Sequence, residues 1–152
     1  MDKVIISDAS CLIALSKIEE LGLLKTLFEE VIITREVSEE FGEALPDWIV
    51  TREVKDQKKI QELEKILDKG EASSIALALE TDRSMLIIDE LKGRKIAQSL
   101  HVEIIGTIGV ILLAEQKGLT KDVVGTILRL VNQGFRLSEQ MITFIIEKYR
   151  NK

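Results

Sequence analysis

A chain of 152 residues, 45% apolar and 31% charged, has the length of one domain and the balance of a packed globular protein rather than a disordered one. No apolar run approaches the roughly 20 residues of a bilayer span, and the single Cys11 and His101 exclude an internal disulfide and a structural zinc site. The net charge of −5 argues against a protein that coats nucleic acid non-specifically, but leaves room for acids that bind metal cations.

Met1-Asp2-Lys3-Val4 leads straight into a strand pattern with no signal-peptide features, so the cytoplasm is the expected location. Val4 to Asp8 is a β-branched run ending on an acid, the first expected strand. A helix over Ala9–Ile18 and a short one over Leu21–Phe28 follow, then a buried strand at Val31–Ile33. Thr34 can cap a helix that runs to Phe41 and stops at Gly42. Trp48 to Val54 alternates and reads as a strand or an extended connection. A charged helix is expected from Asp56 to Leu67, with Gly70 separating it from a small-residue helix over Glu71–Glu80. Met85 to Ile88 is a third apolar strand, ending on Asp89 and Glu90. After a helix over Leu91–Leu100, Val102–Ile105 gives a fourth strand, and from about residue 107 the chain is helical: Thr107–Lys117, Lys121–Gln133 and Ser138–Tyr149. Short apolar strands alternating with helices predict a mostly parallel sheet covered on both faces, in one domain over residues 1–152.

With one histidine and one cysteine, carboxylates are the abundant reactive groups. In an open parallel sheet the cleft forms beyond the carboxyl ends of the strands, where Asp8 and Asp89 both sit. Glu71 opens a helix on the face it shares with Ile75. Glu40 lies between Val37 and Phe41, at the rim of an apolar stripe. Carboxylates brought close together repel and resist ionisation unless a cation joins them. Mg²⁺ or Mn²⁺ takes such oxygen ligands and, once bound, activates water for phosphodiester hydrolysis.

The succession Ile6-Ser7-Asp8-Ala9-Ser10, Val37-Ser38-Glu39-Glu40, Gly70-Glu71-Ala72 and Ile88-Asp89-Glu90 resembles the PIN domain of VapC-like ribonucleases. Ile88 to Arg94 and Gly106-Thr107-Ile108-Gly109 look like a prokaryotic subgroup of mostly uncharacterised PIN-like proteins. The resemblance covers nearly the whole chain. It implies a three-layer α/β/α domain with a central parallel sheet of about four to five strands. It also implies a metal-dependent endoribonuclease, the toxin half of a toxin–antitoxin pair whose small antitoxin blocks the cleft. Carried over, the metal-binding acids become Asp8, Glu40, Glu71 and Asp89, with Glu90 as second choice to Asp89 and Ser10 as a supporting hydroxyl. Two departures stand out: the third acid is often Asp in the family, and a Thr-x-Asp pattern is common where Ile88-Asp89-Glu90 stands here.

Each residue also has a plainer role. Asp8 and Ser10 are good helix caps, Glu71 suits a helix first turn, Glu40 shares its helix with Glu36, Glu39 and Glu43, and Asp89-Glu90 is also a plausible acidic helix start. Arg94, Lys95 and Arg35 are candidates for substrate phosphate, although surface ion pairs are their commoner fate. Cys11 reads as core filler. Gly106 to Gly109 lacks the spacing and lysine of a phosphate-binding loop and reads as a tight turn. Two further functions compete: a non-catalytic PIN-like module binding RNA or protein, and a receiver-like signalling domain, which expects paired acids after the first strand where this chain has Ala9 and Ser10. Apolar stripes at Val123, Ile127, Leu130 and at Met141, Ile145, Tyr149 must be buried against the domain or a second subunit, and a homodimer is the expected assembly.

Overall fold

The computed structural model describes residues 3–149. Among them the chain runs β1 (Val4–Ser7), α1 (Ala9–Lys17), α2 (Gly22–Phe28), β2 (Val31–Thr34), α3 (Arg35–Phe41), β3 (Ile49–Arg52), α4 (Gln57–Glu64), α5 (Lys69–Leu79), β4 (Ser84–Ile87), α6 (Leu91–Ser99), β5 (Glu103–Ile105), α7 (Thr107–Gln116), α8 (Val123–Asn132) and α9 (Glu139–Tyr149). The five strands form one wholly parallel sheet in the order β3-β2-β1-β4-β5. The chain therefore builds outward from β1 on one side, then crosses back to place β4 on the other. The gap between the carboxyl ends of β1 and β4 is the topological switch point, where open α/β sheets form clefts.

Strand residues alternate between two cores, as a pleat with both faces covered requires. Ile5, Val31, Ile33 and Ile87 point to the face under α1, α2, α7, α8 and α9. Ile6, Ile32, Leu86 and Ile88 point to the face under α4, α5 and α6. Full burial of each such side chain contributes roughly 1.5–3 kcal/mol, and a slip of one residue would exchange the two faces. The register Ser7↔Ile87 thus places Asp8 and Asp89 beyond adjoining strand ends.

The ambiguous stretch after Trp48 resolves as an edge strand, with Ile49 paired to Val31 and its far end exposed. The charged helix is shorter than the pattern predicts. It ends at Glu64, and the next residues turn to bury Leu67 and release Asp68. Gly70 does not separate two helices. It lies inside the first turn of α5, because the Asp68 carboxylate caps that helix by accepting from the Glu71 N–H at 2.9 Å.

Thr34 caps α3 through the Val37 N–H at 3.1 Å, and its hydroxyl also meets that of Ser73 on α5 at 2.7 Å. This buried pair fixes the helix carrying Glu40 against the one carrying Glu71. The C-terminal stripes close on their own domain: Val123, Ile127, Leu130, Ile145 and Tyr149 are buried and Met141 is half-buried. Among the described residues no helix is long and apolar enough to cross a membrane.

Candidate metal centre

Asp8 ends β1 and caps α1. One oxygen, Oδ1, accepts from the Cys11 N–H at 3.4 Å. The other, Oδ2, is buried with no hydrogen-bond partner, and the residue is only 2% exposed. The cap therefore explains half of this carboxylate. Burial, then the neighbouring charge of Asp89, pushes its pKa well above the ordinary carboxylate range. A buried polar atom without a partner is uncommon in native proteins and needs a reason.

Asp89, two residues past the end of β4, is half-buried and held by the start of α7. The Thr107 N–H donates to Oδ1 at 2.8 Å and the Thr107 hydroxyl to Oδ2 at 2.5 Å. Glu90 faces elsewhere. It is exposed and caps α6 by accepting from the Lys92 N–H at 3.2 Å. The two adjacent acids thus divide: Asp89 bears on Asp8, whereas Glu90 bears on Glu71.

Glu71 is 8% exposed at the third position of α5, and its pKa is pushed up to about 7. Burial is the main cause, followed by the charges of Asp68, Glu90 and Glu40. Glu40 projects from α3. The residue as a whole is exposed, yet its carboxylate rests on Gly70, and burial followed by Asp68 raises its pKa.

The acids form a chain rather than a closed ring. Asp89 acts on Asp8, Asp8 feels Glu71, and Glu71 in turn feels Asp68, Glu90 and Glu40. Among the described residues no three acids, histidines or cysteines stand close enough to hold one ion as the side chains lie.

Three glycines make room for the acids. A methyl group on Gly70 would fall 2.6 Å from Glu40 Oε1; one on Gly93 would fall 2.8 Å from Ile88 Cδ1 and 3.2 Å from Glu71 Oε2; one on Gly106 would fall 2.9 Å from Arg94 Nη1 and 3.0 Å from Asp89 Oδ1.

The other sequence candidates are placed as follows. Ser10 is exposed beside Lys17 and Phe135 in a shallow recess and makes no hydrogen bond to the acids. Arg94 donates to the Ile88 carbonyl at 2.8 Å, with its guanidinium across Gly106 from Asp89. Lys95 is exposed on α6. Arg35 is committed to surface ion pairs with Glu53, Glu36 and Glu39.

Sequence patterning assigns neither Asp68 nor Thr107 to the site, and reads Gly70 as a helix break and Gly106 to Gly109 as a tight turn. Asp68 had a readable signal: an acid three residues ahead of Glu71 is a helix-start pattern. Cys11 is fully buried beneath the cluster, beside Thr107. Burial and the nearby acids push its thiol well above the ordinary value, so it stays protonated. The donor set is then all oxygen, which suits a hard divalent cation, and the orphaned Asp8 Oδ2 is an atom such a cation would satisfy.

A parallel α/β domain with acids gathered at its switch point is an architecture built around a carboxylate-lined cleft. A family model for the PIN domain matches residues 4–151, and the chain belongs to the PIN-domain family. PIN domains are generally nucleases and typically use divalent metals. No curated protein and no solved structure matches the chain.

Proposed function

We propose that this protein is a metal-dependent endoribonuclease that hydrolyses phosphodiester bonds in RNA with Mg²⁺ or Mn²⁺, and that it acts as the toxin of a toxin–antitoxin pair. The observation that carries the reading is Asp8: a carboxylate at the switch point, buried, facing Asp89, with one oxygen unpartnered. Such a group is costly in a protein without a cation. Asp8 and Asp89 would hold the ion directly, and Glu71, Glu40 and Glu90 through water, since Mg²⁺ usually keeps several waters and takes one or two carboxylates. The bound ion supplies an activated water and a counter-charge for the phosphate. Arg94 stands beside Asp89 with its remaining donors free for a substrate phosphate, and Arg136 lines the same groove of about 540 Å³. Lys95 is available one turn from Glu90, whereas Arg35 is largely neutralised by its three acids.

The antitoxin and the homodimer rest on the family and on exposed apolar side chains. Val124, Leu128 and Val131 on α8 and Ile142, Phe144 and Ile146 on α9 face outward, opposite the stripes that close the domain. Contiguous exposed apolar surface marks interaction sites.

The primary test is cleavage of labelled single-stranded RNA in Mn²⁺ or Mg²⁺, with EDTA as control. Cleavage that EDTA abolishes is the expected result. No cleavage of varied RNA, with no heat of Mn²⁺ binding in calorimetry, would transfer the reading to a non-catalytic binding module. That alternative is favoured by one observation: among the described residues no three of the acids stand close enough to share one ion.

Gly70→Ala supplies a second test. Only the flexible end of Glu40 stands in the way of the new methyl, and alanine is better than glycine in a helix by about 1 kcal/mol. The variant is expected to melt at or above the wild-type temperature in EDTA while binding Mn²⁺ more weakly. Unchanged Mn²⁺ affinity would remove Glu40 from the site.

A further inference from the structure

We infer that Thr107 is a positioning residue for the metal centre, and that the start of α7 is the clamp fixing the carboxylate plane of Asp89. The inference rests on the metal-centre reading above and deepens it.

Helices of this kind are usually capped by the residue just before them. Here that residue is Gly106, which has no side chain to offer, and Asp89, 18 residues before Thr107, supplies the carboxylate instead. A side chain at position 106 would be obstructed, since its Cβ would meet Arg94 Nη1 at 2.9 Å and Asp89 Oδ1 at 3.0 Å. The sequence has thus emptied the local cap position and filled it with an acid from the site.

The grip is bidentate. Thr107 N–H holds Oδ1 and Thr107 Oγ1–H holds Oδ2. Two donors from one residue on the two oxygens fix both the direction and the rotation of the carboxylate. A single cap bond fixes rotation less firmly, and at Asp8 the one hydrogen bond goes to Oδ1. An ionised carboxylate has about four lone-pair sites, so two remain for an ion. Thr107 is fully buried with the Cys11 thiol beside it, so the hydroxyl's bond to Asp89 is shielded from solvent. The contact ties the start of α7 to the acid just past β4, on one flank of the switch point.

Partners that orient a ligating group usually matter about 10–100-fold for metal affinity or activity. The test is calorimetric Mn²⁺ titration of the full chain as wild type, Thr107→Ser and Thr107→Val, alongside kcat and KM for RNA cleavage at saturating Mn²⁺. Thr107→Val is expected to bind Mn²⁺ about 10–100-fold more weakly, the scale for groups that orient metal ligands, with KM for RNA little changed. Thr107→Ser, which keeps both donors, is expected to restore affinity to within a few-fold. A merely structural cap would lower the melting temperature in EDTA without changing Mn²⁺ affinity in the folded protein. If the valine variant does not fold, Thr107→Ala, which adds no bulk, is read the same way.

Wild-type Mn²⁺ uptake with undiminished affinity in Thr107→Val overturns this inference alone. So does a serine variant as impaired as the valine one, because the threonine methyl would then be the important group. A wild-type chain that takes up no Mn²⁺ overturns the metal centre and this inference together.

Discussion

Asp8→Asn is expected to melt at a higher temperature than the wild-type chain in EDTA at pH 7.5, and yet to lose Mn²⁺ binding and RNA cleavage. The two effects share one cause. Asp8 is buried against Asp89 with one oxygen unpartnered, and its pKa is well above the ordinary carboxylate value. Removing the charge relieves both the burial cost and the repulsion. The asparagine oxygen can still accept from the Cys11 N–H, and its amide can donate toward Asp89, turning a repulsive pair into an attractive one. A buried unsatisfied polar group costs about 1–3 kcal/mol, and more when charged, so a gain of several degrees is expected for a domain of this size. The same change removes the central ligand. Cleavage should fall at least about a hundredfold, equivalent to roughly 2.7 kcal/mol of barrier. Melting curves in EDTA and gel assays in Mn²⁺ read the two halves separately. An Asp8→Asn chain that is less stable than wild type and still cleaves would mean that Asp8 serves the fold alone.

The second large effect is an inversion of pH dependence by metal. Glu71 has a folded pKa raised from 4.5 to about 7, and that of Asp8 is also raised. In the window between the unfolded and folded values the native state holds more protons than the unfolded chain, so stability falls as pH rises. In EDTA the melting temperature should therefore climb as the buffer is taken from pH 8 toward pH 5, opposite to the usual acid-labile behaviour of carboxylate-rich proteins. Mn²⁺ competes with those protons, so its stabilisation should be greatest at pH 8 and fade below about pH 7. Each pH unit below that point should weaken Mn²⁺ roughly tenfold if one proton must leave. Melting curves at four pH values, with Mn²⁺ and with EDTA, suffice as a check. If stability in EDTA falls steadily toward acid, Glu71 and Asp8 are not under the strain described.

Much of this fold can be read from the chain because its strands are brief, β-branched and separated by helical patterns, which leaves little choice of sheet. The edge strand at Ile49 was ambiguous for a physical reason: one side has no partner and half its residues face solvent, so its pattern matches a loop's. The acids at strand ends could be located by the general rule for parallel sheets. Whether Asp89 or Glu90 faces Asp8 could not, because adjacent residues at a strand-to-helix junction are sorted by local hydrogen bonds. Here Lys92 takes one and Thr107 the other. Asp68 was hidden among the lysines and glutamates of the preceding helix, and its place in the cluster depends on how that helix ends. Arg35 looked available beside the Glu40 helix, and only the fold brings Glu53 from the next strand's end to engage it.

Gly70, Gly93 and Gly106 record the cleft in negative, as the places where side chains had to be missing. Selection for heat resistance alone would tend to replace Gly70, where alanine gains up to about 1 kcal/mol of helix propensity and meets only the flexible end of Glu40, and would refill the space that carboxylate occupies. Persistence of Gly70 against that drift would be a sign that a lineage still uses the cleft. In a mutational survey Gly70→Ala should separate folding from activity more cleanly than most changes to the acids themselves.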